Sequence, residues 1–210
     1  ELTEKMIKYF IRKVGGGNVL KPRICLCVPS GITDVESRAV VEAATSAGAR
    51  RVYLIEEPVA AALGSGIDIS IPNGNMILDI GGGTADIAVL SLNGIVTKTS
   101  IKVAGNAFDR AIVKSIREKH KLFIGDKMSE YLKRQIGTVY GFEEERTCEI
   151  KGRNLITGLP QKITVTSTEI KDALEENVVQ IIEAVHSVIE RTPPELVGDI
   201  HTNGIMMTGG

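Results

Sequence analysis

The sequence predicts an α/β fold, and three patterns of apolar residues support this prediction. Ile24–Val28 and Val52–Ile55 are short apolar segments separated by a helical pattern, and such a β-α-β unit favours parallel pairing with a right-handed crossover. Met76–Val103 contains three successive strand-like segments. Ile170–Glu190 carries apolar side chains at helical spacing. Strands and helices that alternate in this way indicate helices packed on a sheet.

The first part of the chain predicts two helices around the first strand. Leu2–Val14 is amphipathic and is expected to be helical until Gly15–Asn18 breaks it. Thr33–Glu36 has the sequence of a capping box, in which a threonine and a glutamate three positions later satisfy each other's backbone N–H groups. The helix that follows is expected to reach Ala47, where Gly48 stops it.

The cysteines and histidines predict structural roles. Cys25 and Cys27 alternate with apolar residues, which is typical of a strand buried inside a parallel sheet. Metal binding by this pair is not expected, because no second cysteine pair or nearby histidine completes a site. The remaining cysteine and the three histidines are scattered, so neither a disulfide framework nor a Ser-His-Asp arrangement is predicted: Cys148, His120, His186 and His201.

A second strand-to-helix junction carries an acidic residue. The apolar strand before Glu57 leads into an alanine-rich helix opened by Pro58, a residue suited to the first helical position, and Gly64 or Gly66 ends this helix. A carboxylate there could orient a water that attacks a phosphate. The alternative is a solvated acid stabilised by the helix dipole.

The rest of the chain predicts a meander, a small insert and a return to the sheet. Asn93-Gly94 signals the second hairpin of the meander, and Gly105–Glu118 then becomes helical. Within the insert we expect a helix and two strands, over Ser129–Ile136, Cys148–Lys151 and Lys162–Thr166. Gly204–Thr208 is expected to rejoin the sheet.

The long helix after the insert is predicted to begin with Ser167 as its cap. Its apolar residues are expected to form one face, which we interpret as core, with partner binding as the alternative: Ile170, Leu174, Val178, Ile181, Ile182, Val185, Val188 and Ile189.

The most informative stretch is Asp79-Ile80-Gly81-Gly82-Gly83-Thr84-Ala85-Asp86, which lies between two strand-like segments. Glycines let a backbone approach a ligand closely, and successive N–H groups in such a turn form an anion-binding concavity. Asp79 could hold Mg²⁺ through water, because Mg²⁺ gives up its waters reluctantly. The alternative is a glycine-rich hairpin without a ligand. The stretch is neither a Walker loop, which ends in Gly-Lys-Ser/Thr, nor a dinucleotide fingerprint, which leads into a helix.

Together these segments resemble the actin-like ATPase superfamily, and within it the MreB family of bacterial actins. Asp79–Thr84 looks like the second phosphate loop of that superfamily, and Glu56-Glu57-Pro58 with Ala60–Ala62 looks like its first connecting segment. Four further stretches carry the resemblance: Tyr9–Val14, Val28–Thr33, Gly152–Pro160 and Met207–Gly210. The resemblance covers essentially the whole chain.

The resemblance implies an actin-like (ribonuclease H-like) fold and a set of ATP-site residues. The implied catalytic residues are Glu57, Asp79 and Thr84, with Asp79 as the metal residue that holds Mg²⁺ through water. The implied nucleotide-binding residues are Gly81, Gly82, Gly83, Thr84, Glu130, Lys133, Gly209 and Gly210. The alternative for Glu130 and Lys133, which share a helix face, is an ordinary exposed ion pair.

The resemblance also implies a domain division and a departure from the family. We expect residues 1–66 to be the remainder of the first large subdomain, 67–114 with 166–210 to form the second, and 115–165 to be the small inserted subdomain. The family's first phosphate loop and the continuation of its adenosine loop are not recognised, so the chain resembles a fragment. Family members usually carry Gly-Gly-Asp where this chain has Ala104-Gly105-Asn106. Any metal or phosphate role of that acid is lost here, although Asp109 remains.

Two classes of function remain open: a filament-forming ATPase that scaffolds cell-wall synthesis and maintains rod shape, and the ATPase domain of a chaperone resembling the seventy-kilodalton heat-shock family. The first implies ATP and Mg²⁺ as cofactors, self-association into filaments, cell-elongation membrane proteins as partners, and a cytoplasmic location at the inner face of the membrane. We expect ATPase activity and filaments from the intact protein, and neither from these residues alone. With 25 basic and 26 acidic residues, no nucleic-acid partner is expected.

Overall fold

A computed structural model describes residues 2–15, 21–141 and 143–210. The elements in chain order are α1 (Leu2–Gly15), β1 (Arg23–Val28), α2 (Asp34–Ser46), β2 (Arg51–Glu56), α3 (Glu57–Gly64), β3 (Asn75–Ile80), β4 (Ala85–Ser91), β5 (Gly94–Ile101), α4 (Gly105–His120), β6 (Leu122–Phe123), α5 (Asp126–Ile136), β7 (Thr147–Asn154), β8 (Pro160–Thr166), α6 (Ser167–Glu190), α7 (Pro194–Asn203) and β9 (Ile205–Gly209). The predicted break after the first helix lies outside the described residues, apart from Gly15.

The chain folds into two compact units. The first unit contains the chain up to Asp79, together with Asp86–Ser100 and Arg191–Thr208. The second unit contains Ile80–Ala85, Ile101–Glu190 and Gly209–Gly210. The three-part subdomain division expected from the sequence stays a prediction.

The first unit contains two sheets. β1 and β2 pair in parallel, with Arg23 opposite Arg51 and Val28 opposite Glu56, which confirms the predicted β-α-β unit. The second sheet has the order β5-β4-β3-β9, which confirms both the meander and the return of the chain to the sheet. Leu26 of β1 packs with Ile7 of α1 and the buried Ala44 of α2. A separate cluster joins α3 to the meander through the buried side chains of Ala62, Ile69, Ile77, Ala88 and Leu90.

The predicted burial of the first strand on both faces is wrong. Cys25 and Cys27 are exposed, whereas Leu26 between them packs against the helices. Successive side chains of a strand point to opposite faces, so one face of β1 meets α1 and α2 and the other carries the cysteines. Among the described strands only β2 pairs with β1, so β1 is an edge strand and not the predicted central one.

The second unit is an α/β insert around its own core. β7 and β8 form an antiparallel hairpin, with Thr147 opposite Thr166, and the short β6 pairs with the other edge of β7. The buried core draws on both strands and on α4, α5 and α6: Ile112, Ile116, Leu122, Ile124, Leu132, Ile136, Ile150, Val165, Ile170 and Leu174.

Local signals set several element ends. Thr33 and Glu36 form the predicted capping box: the Glu36 N–H donates to Thr33 Oγ1 at 3.3 Å, and the Thr33 N–H donates to Glu36 Oε2 at 2.9 Å. The second hairpin is confirmed, but its two turn residues are Leu92 and Asn93, with φ of 50° and 60°. The turn therefore precedes the predicted Asn93-Gly94 position by one residue.

The start of α6 also differs from the prediction. Thr166, not Ser167, caps the helix, because its Oγ1 accepts the Glu169 N–H at 3.3 Å and Glu169 Oε2 accepts the Thr166 N–H at 3.1 Å. Ser167 Oγ instead accepts the Arg146 N–H. Ile182 is 49% exposed and lies outside the buried face of α6. Over the described ranges, no helix has the length and apolar character needed to cross a membrane.

Candidate functional site

The glycine turn, defined as Gly81–Thr84, belongs to the second unit, and helix α4 donates to two of its carbonyl groups, those of Gly81 and Gly82. The Gly105 N–H donates to the Gly81 carbonyl at 3.0 Å, and the Asn106 N–H donates to the Gly82 carbonyl at 2.8 Å. The Gly81 N–H closes the turn on the Thr84 carbonyl at 2.9 Å. The orientation of the turn is thus fixed by the first residues of α4.

The remaining N–H groups of the glycine turn are free to bind a ligand. Among the described residues, the N–H groups of Gly82, Gly83 and Thr84 have no acceptor, and Gly82 and Gly83 are exposed. A side chain at Gly83 would meet open space. Exposed, neighbouring N–H groups with no internal partner can form an anion-binding concavity.

The glycines of this turn are not needed for a left-handed backbone, because Gly81, Gly82 and Gly83 all lie outside the positive-φ region. Close approach is the constraint at Gly105, where a Cβ would lie 3.3 Å from the Gly81 carbonyl oxygen and 3.5 Å from Lys133 Nζ. The glycine at the start of α4 therefore lets that helix hold the turn.

An acidic trio of Glu57, Asp79 and Asp86 lies in the first unit, where α3 and strands β3 and β4 supply one residue each. Burial raises the pKa of Glu57, and the negative charges of Asp86 and then Asp79 raise it further. A carboxylate with a raised pKa at a strand-to-helix junction is a better proton acceptor than an exposed glutamate.

Asp79 is held by a neighbouring strand. The Thr208 hydroxyl of β9 donates to Asp79 Oδ1 at 2.9 Å, and β9 lies next to β3 in the sheet. This bond fixes the orientation of the carboxylate and leaves its second oxygen available. The predicted role of Asp79 as an outer ligand of hydrated Mg²⁺ is compatible with this arrangement.

Asp86 and Ser30 form a contact to which the sequence reasoning gave no role. The Ser30 N–H donates to Asp86 Oδ1 at 2.8 Å, across 56 positions of sequence. Asp86 is 1% exposed and Ser30 is 8% exposed. Ser30 lies within one of the stretches that carry the family resemblance and Asp86 lies two residues after another, but no local pattern links them.

The residue before Glu57 is also anchored. Lys98 Nζ of β5 lies 2.6 Å from Glu56 Oε2, and the Lys98 carbonyl accepts a hydrogen bond from Arg191 Nη2. Glu56 is the cap residue of α3 and Glu57 its first residue, so Pro58 lies in the first turn but one position after the predicted first helical position. The start of α3 is therefore fixed both by proline and by an ion pair to the meander.

Glu130 and Lys133 lie on α5 in the second unit, but they do not pair with each other. Lys133 Nζ lies 2.9 Å from Asp109 Oδ1 and donates to the Gly105 carbonyl at 3.2 Å. Glu130 instead pairs with Arg134 at 3.9 Å on the exposed side of the helix. Lys133 therefore belongs to the same set of contacts as the start of α4, whereas Glu130 faces solvent.

Gly209 and Gly210 lie where the chain meets the end of β3. Their φ angles are 104° and 125°, and a Cβ at Gly209 would overlap the Ile80 carbonyl. The Gly210 N–H donates to that carbonyl at 3.2 Å. Gly209 therefore requires glycine for both its backbone angles and its space.

The described residues contain no group of three or more histidine, cysteine, aspartate or glutamate side chains that could hold a metal ion directly. Mg²⁺ commonly keeps several waters and is bound through one or two carboxylates plus substrate phosphates. A single carboxylate such as Asp79, together with free backbone N–H groups for phosphate oxygens, fits that mode of binding.

Comparison with known proteins identifies the family. The MreB/Mbl protein family model matches residues 1–210. Cell shape-determining protein Mbl of Bacillus cereus is 51% identical over 211 residues, which cover 100% of this chain and 63% of that protein. The chain thus spans less than two thirds of the length of this relative.

Solved structures agree with this result. MreB5 of Spiroplasma citri bound to ADP superimposes with a TM-score of 0.94 at 40% identity, over 99% of this chain and 62% of that one. The same protein bound to AMPPNP gives a TM-score of 0.93 at 41% identity, with the same coverage. The expected actin-like fold is confirmed, and the chain belongs to the MreB/Mbl protein family.

Proposed function

We propose that this chain is part of an ATP-dependent, filament-forming bacterial actin that scaffolds cell-wall synthesis and maintains rod shape. The observation that carries the proposal is the glycine turn: α4 binds its Gly81 and Gly82 carbonyls, while the N–H groups of Gly82, Gly83 and Thr84 have no acceptor within the described part of the chain. Family membership, the cell shape-determining relative and the nucleotides bound to MreB5 support it.

The proposal assigns a separate part of the chemistry to each group of residues. The N–H groups of Gly82, Gly83 and Thr84, which have no acceptor among the described residues, bind phosphate oxygens, as N–H groups in a nest do. Glu130, Lys133 and the glycines at the end of β9 border the adenosine. In the first unit, Asp79 holds the hydration shell of Mg²⁺. When bound, this ion neutralises charge on the phosphates.

Glu57 orients the attacking water. A glutamate can take a proton from water only when it is ionised, so the raised pKa of Glu57 sets the lower end of the active pH range. Above that pKa, Glu57 is ionised and more basic than an ordinary glutamate. Phosphoryl transfer depends mainly on such positioning and on electrostatic stabilisation, and Thr84 adds a hydroxyl beside the turn.

The assembly part of the proposal rests on the family alone. Actin-like filaments grow through head-to-tail contacts that do not close. We propose self-association of the full-length gene product, cell-elongation membrane proteins as partners, and a cytoplasmic position at the inner face of the membrane. The comparisons do not favour the chaperone alternative, because the family model and the cell shape-determining relative both match the whole chain.

Mutation of Glu57 tests the chemistry. In the full-length gene product, Glu57→Ala is expected to slow ATP hydrolysis at least about tenfold, which corresponds to about 1.4 kcal/mol of lost transition-state stabilisation. ATP affinity should stay within about twofold, because the side chain acts on water and not on the nucleotide. The readouts are steady-state phosphate release and calorimetric ATP binding.

Glu42→Ala is the matched control, since Glu42 is an exposed acid on α2 of the same unit. Unchanged turnover in Glu57→Ala would refute the role of Glu57. A wild-type protein that neither binds nor hydrolyses ATP would refute the proposed function as a whole.

A further inference from the structure

Helix α4 begins without a side-chain cap of its own. Its cap residue, Ala104, makes no side-chain hydrogen bond, and the first turn of the helix contains no acidic residue. The first N–H groups of a helix have no partner inside the helix and need acceptors from elsewhere. Here the carbonyls of Gly81 and Gly82 accept the N–H groups of the first two residues of α4. The glycine turn therefore caps α4, so the position of the turn and the position of the helix start depend on each other.

Lys133 of α5 contacts this helix start at two points. Its Nζ donates to the Gly105 carbonyl at 3.2 Å and lies 2.9 Å from Asp109 Oδ1, one helical turn further along α4. A Cβ at Gly105 would lie 3.5 Å from the same Nζ and 3.7 Å from Gly82 Cα. The ammonium group and the glycine turn therefore border the same space beside Gly105, and all of these residues belong to the second unit.

The carboxylate of Asp109 keeps the lysine in this place. Asp109 Oδ1 is buried and makes no hydrogen bond with any described residue, so the charge of Lys133 is what compensates it. Ordering a long lysine side chain costs rotamer entropy, and the attraction of a partly buried carboxylate offsets that cost. Without the charge of Asp109, Lys133 would spend less time on the Gly105 carbonyl.

We propose that Asp109 is a positioning residue for the glycine turn. By holding Lys133 on the Gly105 carbonyl, it fixes the start of α4 against the carbonyls of the turn, and the N–H groups of the turn keep the orientation in which they bind phosphate. The inference rests on the proposed phosphate-binding role of the turn. It gives Asp109 a role without contact to the nucleotide, and it gives Lys133 a role in the phosphate part of the site besides the adenosine part.

Two variants break this clamp, defined as Asp109 together with Lys133. Asp109→Asn keeps the size of the side chain and removes its charge, and Lys133→Met removes the other partner. Asp172→Asn is the matched control, because Asp172 pairs at 3.6 Å with Lys119 in the last turn of the same helix. The control removes an ion pair of α4 without touching the glycine turn.

The first measurement is amide hydrogen exchange on the 210-residue chain, and it needs no nucleotide. The N–H groups of Gly105 and Asn106 should exchange about tenfold faster in both clamp variants, because the helix start separates from the turn more often. The Ser167 N–H, which donates to the Arg146 carbonyl in the same unit, is the reference and should change less than about twofold. A general loss of stability would accelerate all three amides together. The control variant should change none of them.

The second measurement uses the full-length gene product and calorimetry with ADP and with adenosine. Asp109→Asn should weaken ADP binding about fivefold and leave adenosine binding within about twofold, because the turn binds phosphate and not the nucleoside. KM for ATP should rise by a similar factor while kcat stays within about twofold, since the turn holds the phosphates in both the ground state and the transition state. The control variant should change neither ADP binding nor KM.

Unchanged exchange at Gly105 and Asn106 in the clamp variants would overturn the proposal, and so would an equal acceleration at Ser167. Equal losses of ADP and adenosine affinity in Asp109→Asn would also overturn it, because Asp109 would then act through the adenosine part of the site. If Asp109→Asn does not fold, the exchange of Lys133→Met decides. A wild-type protein that binds no nucleotide, with the expected exchange results, would support the positioning of the turn and count against the proposed function only.

Discussion

Helix α5 carries two ion pairs whose coupling energies should differ several-fold. This difference tests whether the contact of Lys133 with Asp109 is shielded from solvent. Lys133 Nζ lies 2.9 Å from Asp109, with side chains 25% and 18% exposed, and it also donates to the Gly105 carbonyl. On the same helix, Arg134 lies 3.9 Å from Glu130, with side chains 75% and 54% exposed. The first pair is mostly removed from solvent and the second is not.

The expected coupling energies follow from these exposures. Exposed i,i+4 pairs contribute about 0.3–0.5 kcal/mol, which is the value we expect for Glu130–Arg134. Breaking a fully buried pair by removing one partner costs about 3–5 kcal/mol. The Lys133–Asp109 pair lies between these limits and should give a coupling energy of about 1–2 kcal/mol.

A pair of double-mutant cycles measures both values. Lys133→Met, Asp109→Asn and the double variant form one cycle, and Glu130→Gln, Arg134→Met and the double variant form the other. Urea unfolding followed by circular dichroism gives the free energy of unfolding of each protein. Added salt should weaken the exposed pair more, because partly buried charges are screened less.

Equal coupling energies in the two cycles would refute the reasoning. That result would mean that Lys133 is solvated despite its short contact with Asp109. A value near zero for Lys133–Asp109 would also remove the argument that this lysine is preorganised beside the start of α4.

Two further outcomes are expected. Glu57→Gln should raise the free energy of unfolding at neutral pH. The reason is that the pKa of Glu57 is raised in the folded protein, so the stability of the wild type falls as the pH rises from the ordinary glutamate pKa through the raised one. Thermal melts at a series of pH values should show that the gain from Glu57→Gln shrinks below the ordinary pKa. Gly152→Ala should destabilise the chain by about 1–3 kcal/mol, since overpacking is costly, and its Cβ would lie 2.6 Å from the Phe123 carbonyl oxygen. Gly198→Ala, in the middle of α7 with open space around it, should instead stabilise by about 0.5–1 kcal/mol, and equal urea midpoints for these two variants would contradict the steric argument.

The parts of the fold that local signals determine could be predicted from the sequence. The Thr33–Glu36 capping box involves two residues on one helical turn, and the structure contains both of its backbone hydrogen bonds. The start of α6 shows the limit of such signals. Two neighbouring hydroxyl residues could cap that helix, and Ser167 is used instead by Arg146, which is distant in sequence.

Contacts between distant segments could not be predicted. The alternation of Cys25 and Cys27 with apolar residues indicates a strand but does not reveal whether both of its faces are covered. At the candidate site, the residue types at Glu57 and Asp79 suggested their chemistry, since each ends or follows a strand. The Ser30–Asp86 bond and the Lys133–Asp109 pair depend on tertiary packing, and no spacing rule signals them.

The position of β9 in its sheet has a consequence for the order of folding. Thr208 of β9 and Asp79 of β3 are 129 residues apart, whereas four residues connect β3 to β4. Closing the longer loop costs about 3 kcal/mol more in chain entropy, at about 0.6 kcal/mol for each doubling of length. During synthesis β9 also leaves the ribosome after the whole of the insert. The meander should therefore form early and β9 should join last, so that the hydroxyl that holds Asp79 arrives only when folding is nearly complete.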